Sequence, residues 1–129
     1  MAFQDAKPML TNQKGPSIKA SVKRLASGGS KVVFMLNKAA LDQFFPDAKP
    51  GDRFKVQHGT AEHAGKAMIF LDVGGHIELR RYGRKGACSL SVAGWHGIMG
   101  KAIKQQVCHI EVVNKNGVVV ALPWGKQAE

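Results

Sequence analysis

The stretch covering residues 29–56 limits the possible folds more than any other, because every start and stop in it is signalled by its own neighbours. Gly28-Gly29-Ser30 reads as a turn, and residues 31–36 (KVVFML) form an apolar run of high β propensity. Asn37 is a natural helix cap, since its side-chain oxygen can accept from a free backbone N–H in the first turn. Leu41, Phe44 and Phe45 recur at helical spacing and share one face. Pro46 ends the helix, and Pro50-Gly51 makes a turn. Residues 53–58 then alternate, with Phe54 and Val56 on one side and Arg53, Lys55 and Gln57 on the other.

The order strand, cap, short helix, Pro50-Gly51-Asp52 turn, strand resembles the AbrB-like (MazE-like) swapped-hairpin family. That family often carries proline directly after the second strand, where this chain has Asn37. The resemblance implies a small barrel in which two ββαββ units interleave, and DNA binding through a basic face of that barrel. A double-psi-type barrel uses the same local elements in the same order and stays open as the alternative.

The rest of the chain extends the pattern. Ile18, Ala20 and Val22 alternate with Lys19, Ser21 and Lys23, which predicts a half-buried strand with a basic outer face, forming a hairpin with residues 31–36. Residues 59–65 are a polar loop and residues 66–73 another strand. Gly74-Gly75 marks the clearest internal boundary.

Beyond it the order recurs. Residues 76–82 read as one strand, 83–86 as a turn and 87–92 as a strand. Residues 95–106 read as a second helix, with Trp95, Ile98, Met99, Ala102 and Ile103 in a stripe. Residues 107–113 read as a strand, Asn116-Gly117 as a hairpin turn and 118–122 as the last strand. Val22-Lys23-Arg24 before one turn answers Leu79-Arg80-Arg81 before the other, and residues 31–36 answer 87–92. The expectation is a mainly β fold with two short helices, built from two ββαββ halves in one chain. Residues 1–16 form a flexible arm and residues 17–124 a single barrel domain with halves 17–73 and 76–123. Residues 125–129 form a short tail. Such a chain is a monomeric pseudo-dimer, or a homodimer where one copy does not suffice.

The chain has 129 residues, enough for one domain with a real core. No apolar run reaches the roughly 20 residues that span a bilayer, the N-terminus lacks a signal-peptide pattern, and two cysteines make no disulfide framework. These features point to a reduced, cytoplasmic protein. Net charge is +10, which calls for a polyanionic partner. No acidic residue falls between Asp5 and Asp42, an interval holding Lys7, Lys14, Lys19, Lys23, Arg24, Lys31 and Lys38.

The basic hairpins are therefore the candidate nucleic-acid contacts: Lys19, Lys23, Arg24 and Lys31 on the first, Arg80, Arg81, Arg84 and Lys85 on the second. Arg24 and Arg81 suit base or groove contact, because a guanidinium can bind guanine O6 and N7 together, and the lysines suit phosphate. Tyr82, between Arg81 and Arg84, is the one place for base stacking. The other aromatics favour duplex over single strands, because Phe34, Phe44, Phe45, Phe54 and Phe70 read as core.

No metal site is expected: His58, His63, His76, His96 and His109 are scattered, and Cys88 and Cys108 read as buried thiols. No cofactor motif is present, since Gly28-Gly29-Ser30-Lys31 lacks the P-loop signature. Catalysis finds no paired carboxylates and no nucleophile elbow. The expected function is sequence-specific binding of double-stranded DNA by a transcriptional regulator of phage or mobile-element type. The alternatives are a protein-interaction module acting on RNA polymerase or another regulator, and a small double-psi-barrel enzyme.

Overall fold

The computed structural model describes residues 15–26, 29–59, 65–83, 86–93, 102–113 and 117–122. Over these residues the protein is mainly β, with one helix. The strands are β1 (Ile18–Arg24), β2 (Ser30–Leu36), β3 (Arg53–His58), β4 (Lys66–Leu71), β5 (Ile77–Glu78), β6 (Arg80–Tyr82), β7 (Ala87–Ala93), β8 (Ile103–Val107), β9 (His109–Val113) and β10 (Gly117–Ala121), and the helix is α1 (Lys38–Phe44). They form two five-stranded antiparallel sheets, β6-β7-β2-β1-β8 and β5-β3-β4-β10-β9.

The local signals explain the first half. In β1 and β2 the inward phase is Ile18, Ala20 and Val22 facing Val32, Phe34 and Leu36, all buried. Asn37 Oδ1 accepts from Ala40 N–H at 2.8 Å and from Ser17 N–H at 2.9 Å, so one side chain starts α1 and holds the chain entering β1. Leu41, Phe44 and Phe45 pack inward, and the Phe45 and Phe54 rings meet edge to face at 5.1 Å. A single apolar cluster joins residues of both sheets.

Several expectations are corrected. Residues 103–107 form a strand rather than the end of a second helix; residues 94–101 lie outside the described ones. Gly97 and Gly100 each weaken a helix by about 1 kcal/mol relative to Ala, while β8 gains a full partner by pairing with β1 from Lys19↔Val107 to Val22↔Ile103. The segments 76–82 and 107–113, each expected as a single strand, are interrupted, the first at Leu79 and the second at Cys108. At each break the chain passes from one sheet to the other. The N–H of Leu79 donates to Asp52 O at 2.9 Å and that of Cys108 to Ile18 O at 2.8 Å, so both breaks keep their backbone bonds. Phe70 is half-buried rather than core, because β4 turns Ala67 and Ile69 inward and Phe70 to the opposite face. The expected arm up to residue 14, the Asn116 turn residue and the tail 125–129 lie outside the described residues.

These bends close the architecture. The edge strands of one sheet, β6 and β8, continue directly into the edge strands of the other, β5 and β9. Pairing therefore runs round a ring through the crossing strands, which shortens the open edges that would invite aggregation. The ring has an internal regularity. Exchange β1 with β5–β6, β2 with β7, β3 with β8–β9 and β4 with β10, and the pairing pattern is unchanged. Under this exchange β1–β2 becomes β6–β7, β3–β4 becomes β9–β10, and β1–β8 becomes β5–β3, while β2–β7 and β4–β10 map onto themselves.

Candidate nucleic-acid interface

The first sheet carries the charge. Its strands hold Lys19, Lys23, Arg24, Lys31, Arg80, Arg81 and Lys104 and no carboxylate. The strands of the second sheet are mixed, with Arg53, Lys55 and Lys66 beside Glu78 and Glu111. There the lysines are paired: Lys66 Nζ lies 2.8 Å from Glu111 and Lys55 Nζ 3.7 Å from Asp72. Among the described residues, Lys19, Lys23, Arg24, Lys31 and Arg81 have no ion-pair partner. Arg80 meets Glu78 at 3.6 Å in an exposed pair, which offsets little of its charge.

Register places these cations. With Ile18, Ala20 and Val22 inward, Lys19 and Lys23 take the outer face of β1. Lys23 stands directly opposite Lys31, and Lys19, Met35, Ser89 and Arg80 form one row across four strands. Strand spacings put Lys19 and Arg80 about 14 Å apart along that row, with the Lys23–Lys31 pair about 13 Å further up β1. Both spans are close to the ~12 Å width of the B-DNA major groove. Between the cations, Ser21 and Val33 are buried on the same face, so the charge forms a rim.

The two expected base readers are not neighbours. The burial sequence of Val22-Lys23-Arg24, buried then twice exposed, repeats at Leu79-Arg80-Arg81. Arg24 pairs with Ser30 and Arg81 with Cys88, which makes Ser30 and Cys88 counterparts and puts the centre of the exchange at the Val33↔Ser91 pair. Arg24 and Arg81 thus sit at opposite ends of the sheet, about 25 Å apart by residue rise and strand spacing. Arg84 and Lys85 lie outside the described residues. Tyr82 is 44% exposed at the end of β6, available for stacking.

Three hollows adjoin these elements. One of about 540 Å³ lies beside α1 and is lined by Lys38, Leu41, Asp42, Arg81 and Cys88, among others. Lys38 and Asp42 pair with each other there at 2.7 Å. Burial pushes the Cys88 thiol up, partly opposed by the Arg81 guanidinium, and burial pushes Cys108 up to about 12, so neither is a poised nucleophile. A second, of about 310 Å³, is lined by His58, Lys66 and Met68 among others. The third, of about 410 Å³, gathers Lys31, Arg53, His76, Glu78, Arg80 and Ser91 where the chain crosses between sheets. Arg53 was not legible as a site residue, because it is distant in sequence from either basic hairpin, and His76, in the same expected strand as Arg80, had no visible partner. Only the β3–β5 pairing brings them beside Arg80.

Among the described residues no group of three His, Cys, Asp or Glu side chains could hold a metal ion, and no helix is long and apolar enough to cross a membrane. No protein-family model, curated protein or solved structure matches this chain.

Proposed function

We propose that the protein binds double-stranded DNA through the outer face of the β6-β7-β2-β1-β8 sheet and acts as a sequence-specific transcriptional regulator of the phage or mobile-element type. The observation that carries this reading is the segregation of charge. The strands of one sheet hold cations and no carboxylate, with Arg80 alone meeting Glu78 of the other sheet, while the lysines of that other sheet are matched. Self-repulsion of this kind opposes folding, and a polyanion relieves it. Phosphate contacts from the lysine rim would position the duplex; Arg24 and Arg81 stand at the two ends of the sheet in phase with its inward residues, so they would reach the grooves by wrapping round those ends. The ~25 Å between them is shorter than one ~34 Å helical turn.

The pairing exchange supports a duplicated AbrB-like unit, with both interleaved halves supplied by one chain. A protein built this way is a monomer, and its halves are free to read an asymmetric site. Light scattering should return the mass of one chain; a tight dimer would show that the ring of one copy is incomplete.

Selection of bound fragments from random and genomic duplexes, followed by salt titration, tests the function. A sequence-specific regulator gives selected fragments bound at least ~10³-fold tighter than random DNA. A steep salt slope without selectivity would overturn the regulator reading. Absence of binding at low salt would redirect the face to a protein partner, RNA polymerase first.

A further inference from the structure

We infer that the cleft at the crossing between the two sheets is a seat for a single phosphate group. It is lined by Lys31 of β2, Arg53 of β3, Arg80 of β6, Ser91 of β7, and the His76-Ile77-Glu78 segment that enters and forms β5. Three permanent cations face one carboxylate, and His76 adds a fourth nitrogen donor. At about 410 Å³ the cleft is within the ~300–1,000 Å³ of ordinary small-ligand sites. Two guanidinium forks and an ammonium from three different strands suit a tetrahedral oxyanion, which takes charge-assisted bonds from several directions.

The cleft exists because the two halves differ. In the first half β1 pairs with β2 along its whole length, from Ile18↔Leu36 to Arg24↔Ser30, and Ser21 and Val33 are buried. In the second half β6 pairs only with Ala87, Cys88 and Ser89, and the chain bends away at Leu79. Ser91, the counterpart of Val33, is left exposed on the cleft floor. Glu78 reaches Arg80 at 3.6 Å. Its carboxylate acts as a stand-in anion that orients the guanidinium until a phosphate displaces it.

The phosphate can come from a duplex backbone or from a free ester. The first source rests on the DNA-binding reading above; the second does not. The full chain is titrated with inorganic phosphate against chloride at matched ionic strength, following the His76 imidazole and the arginine side-chain signals by NMR. The expected result is a saturable shift in the wild type, loss of it in Arg53→Gln, recovery in Arg53→Lys, and several-fold tighter binding in Glu78→Gln. In parallel, duplex affinity is measured against salt. A fall of about 1 in the salt slope for Arg53→Gln assigns the seat to a backbone phosphate. A saturable phosphate shift with an unchanged slope, or with no duplex binding by the wild type, assigns it to a free phosphate ester. No saturable shift, or the same shift in folded Arg53→Gln, overturns the inference, and normal duplex binding by the wild type would then leave the DNA reading standing.

Discussion

Lys23 and Lys31 are direct cross-strand neighbours on the outer face, Lys23 exposed and Lys31 half-buried. Like charges in this relation cost stability, whereas an opposite pair contributes roughly 0.2–1 kcal/mol. Lys23→Glu replaces the first with the second. Solvent screening keeps the change toward the low end, so the expected gain is about 0.5–1 kcal/mol. For a chain of this size that is a rise in Tm of about 2–4 °C. Binding should move the other way. If Lys19, Lys23, Lys31 and Arg80 on the outer face each meet a phosphate, the slope of log K against log salt is about −4. Removing one contact makes it about 1 shallower, and the new carboxylate repels the backbone, so affinity should fall roughly 10- to 100-fold. Differential scanning calorimetry and fluorescence anisotropy with a labelled duplex read the two effects on one sample. Opposite signs would show that this face trades stability for a polyanion. A higher Tm with affinity within twofold of wild type would refute the reasoning, because the lysine pair would then be an ordinary solvated surface.

Other outcomes follow from single contacts. Asn37→Ala removes both accepted bonds and the Nδ2 donation to Gly15 O at 2.8 Å, and should cost about 1–2 kcal/mol in chemical denaturation with little change in duplex affinity. Gly75→Ala places a Cβ 2.2 Å from the Phe54 carbonyl oxygen, so the turn must leave β3. A loss of about 2–4 kcal/mol in thermal unfolding is expected. The buried Cys108 thiol has its pKa raised from 9.0 to about 12, so its contribution to stability is fully present below pH 9 and is lost as pH rises toward 12. Denaturant midpoints measured between pH 8 and 11 should fall in the wild type and fall less in Cys108→Ala.

The legible parts of the fold are those where neighbours in sequence decide the outcome. Asn37 announces the helix cap because capping is an interaction over three residues, and Ile18, Ala20 and Val22 announce the inward face of β1 because alternation is a property of any strand. The bends at Leu79 and Cys108 were not legible. Both residues are apolar and in phase with their strands, and only the arrival of a second sheet makes them crossing points. The stripe at Ile98, Met99, Ala102 and Ile103 suggests a helix by periodicity, yet Ile103–Val107 pairs with β1. A short apolar segment takes whichever structure its tertiary partner completes.

The candidate site divides the same way. Sequence alone determined that the chain is strongly basic, that its cations cluster beside two turns, and that Arg24 and Arg81 hold matching positions, since charge and local order need no partner. Tertiary structure alone decided that these arginines lie at opposite ends of one sheet. It also decided that Arg53 of one sheet meets Arg80 of the other across a cleft. Those relations depend on pairing between segments tens of residues apart, such as Val33 with Ser91. Such contacts form only after the entropy of closing long loops has been overcome by burial of a shared core, and no local pattern in the chain records them.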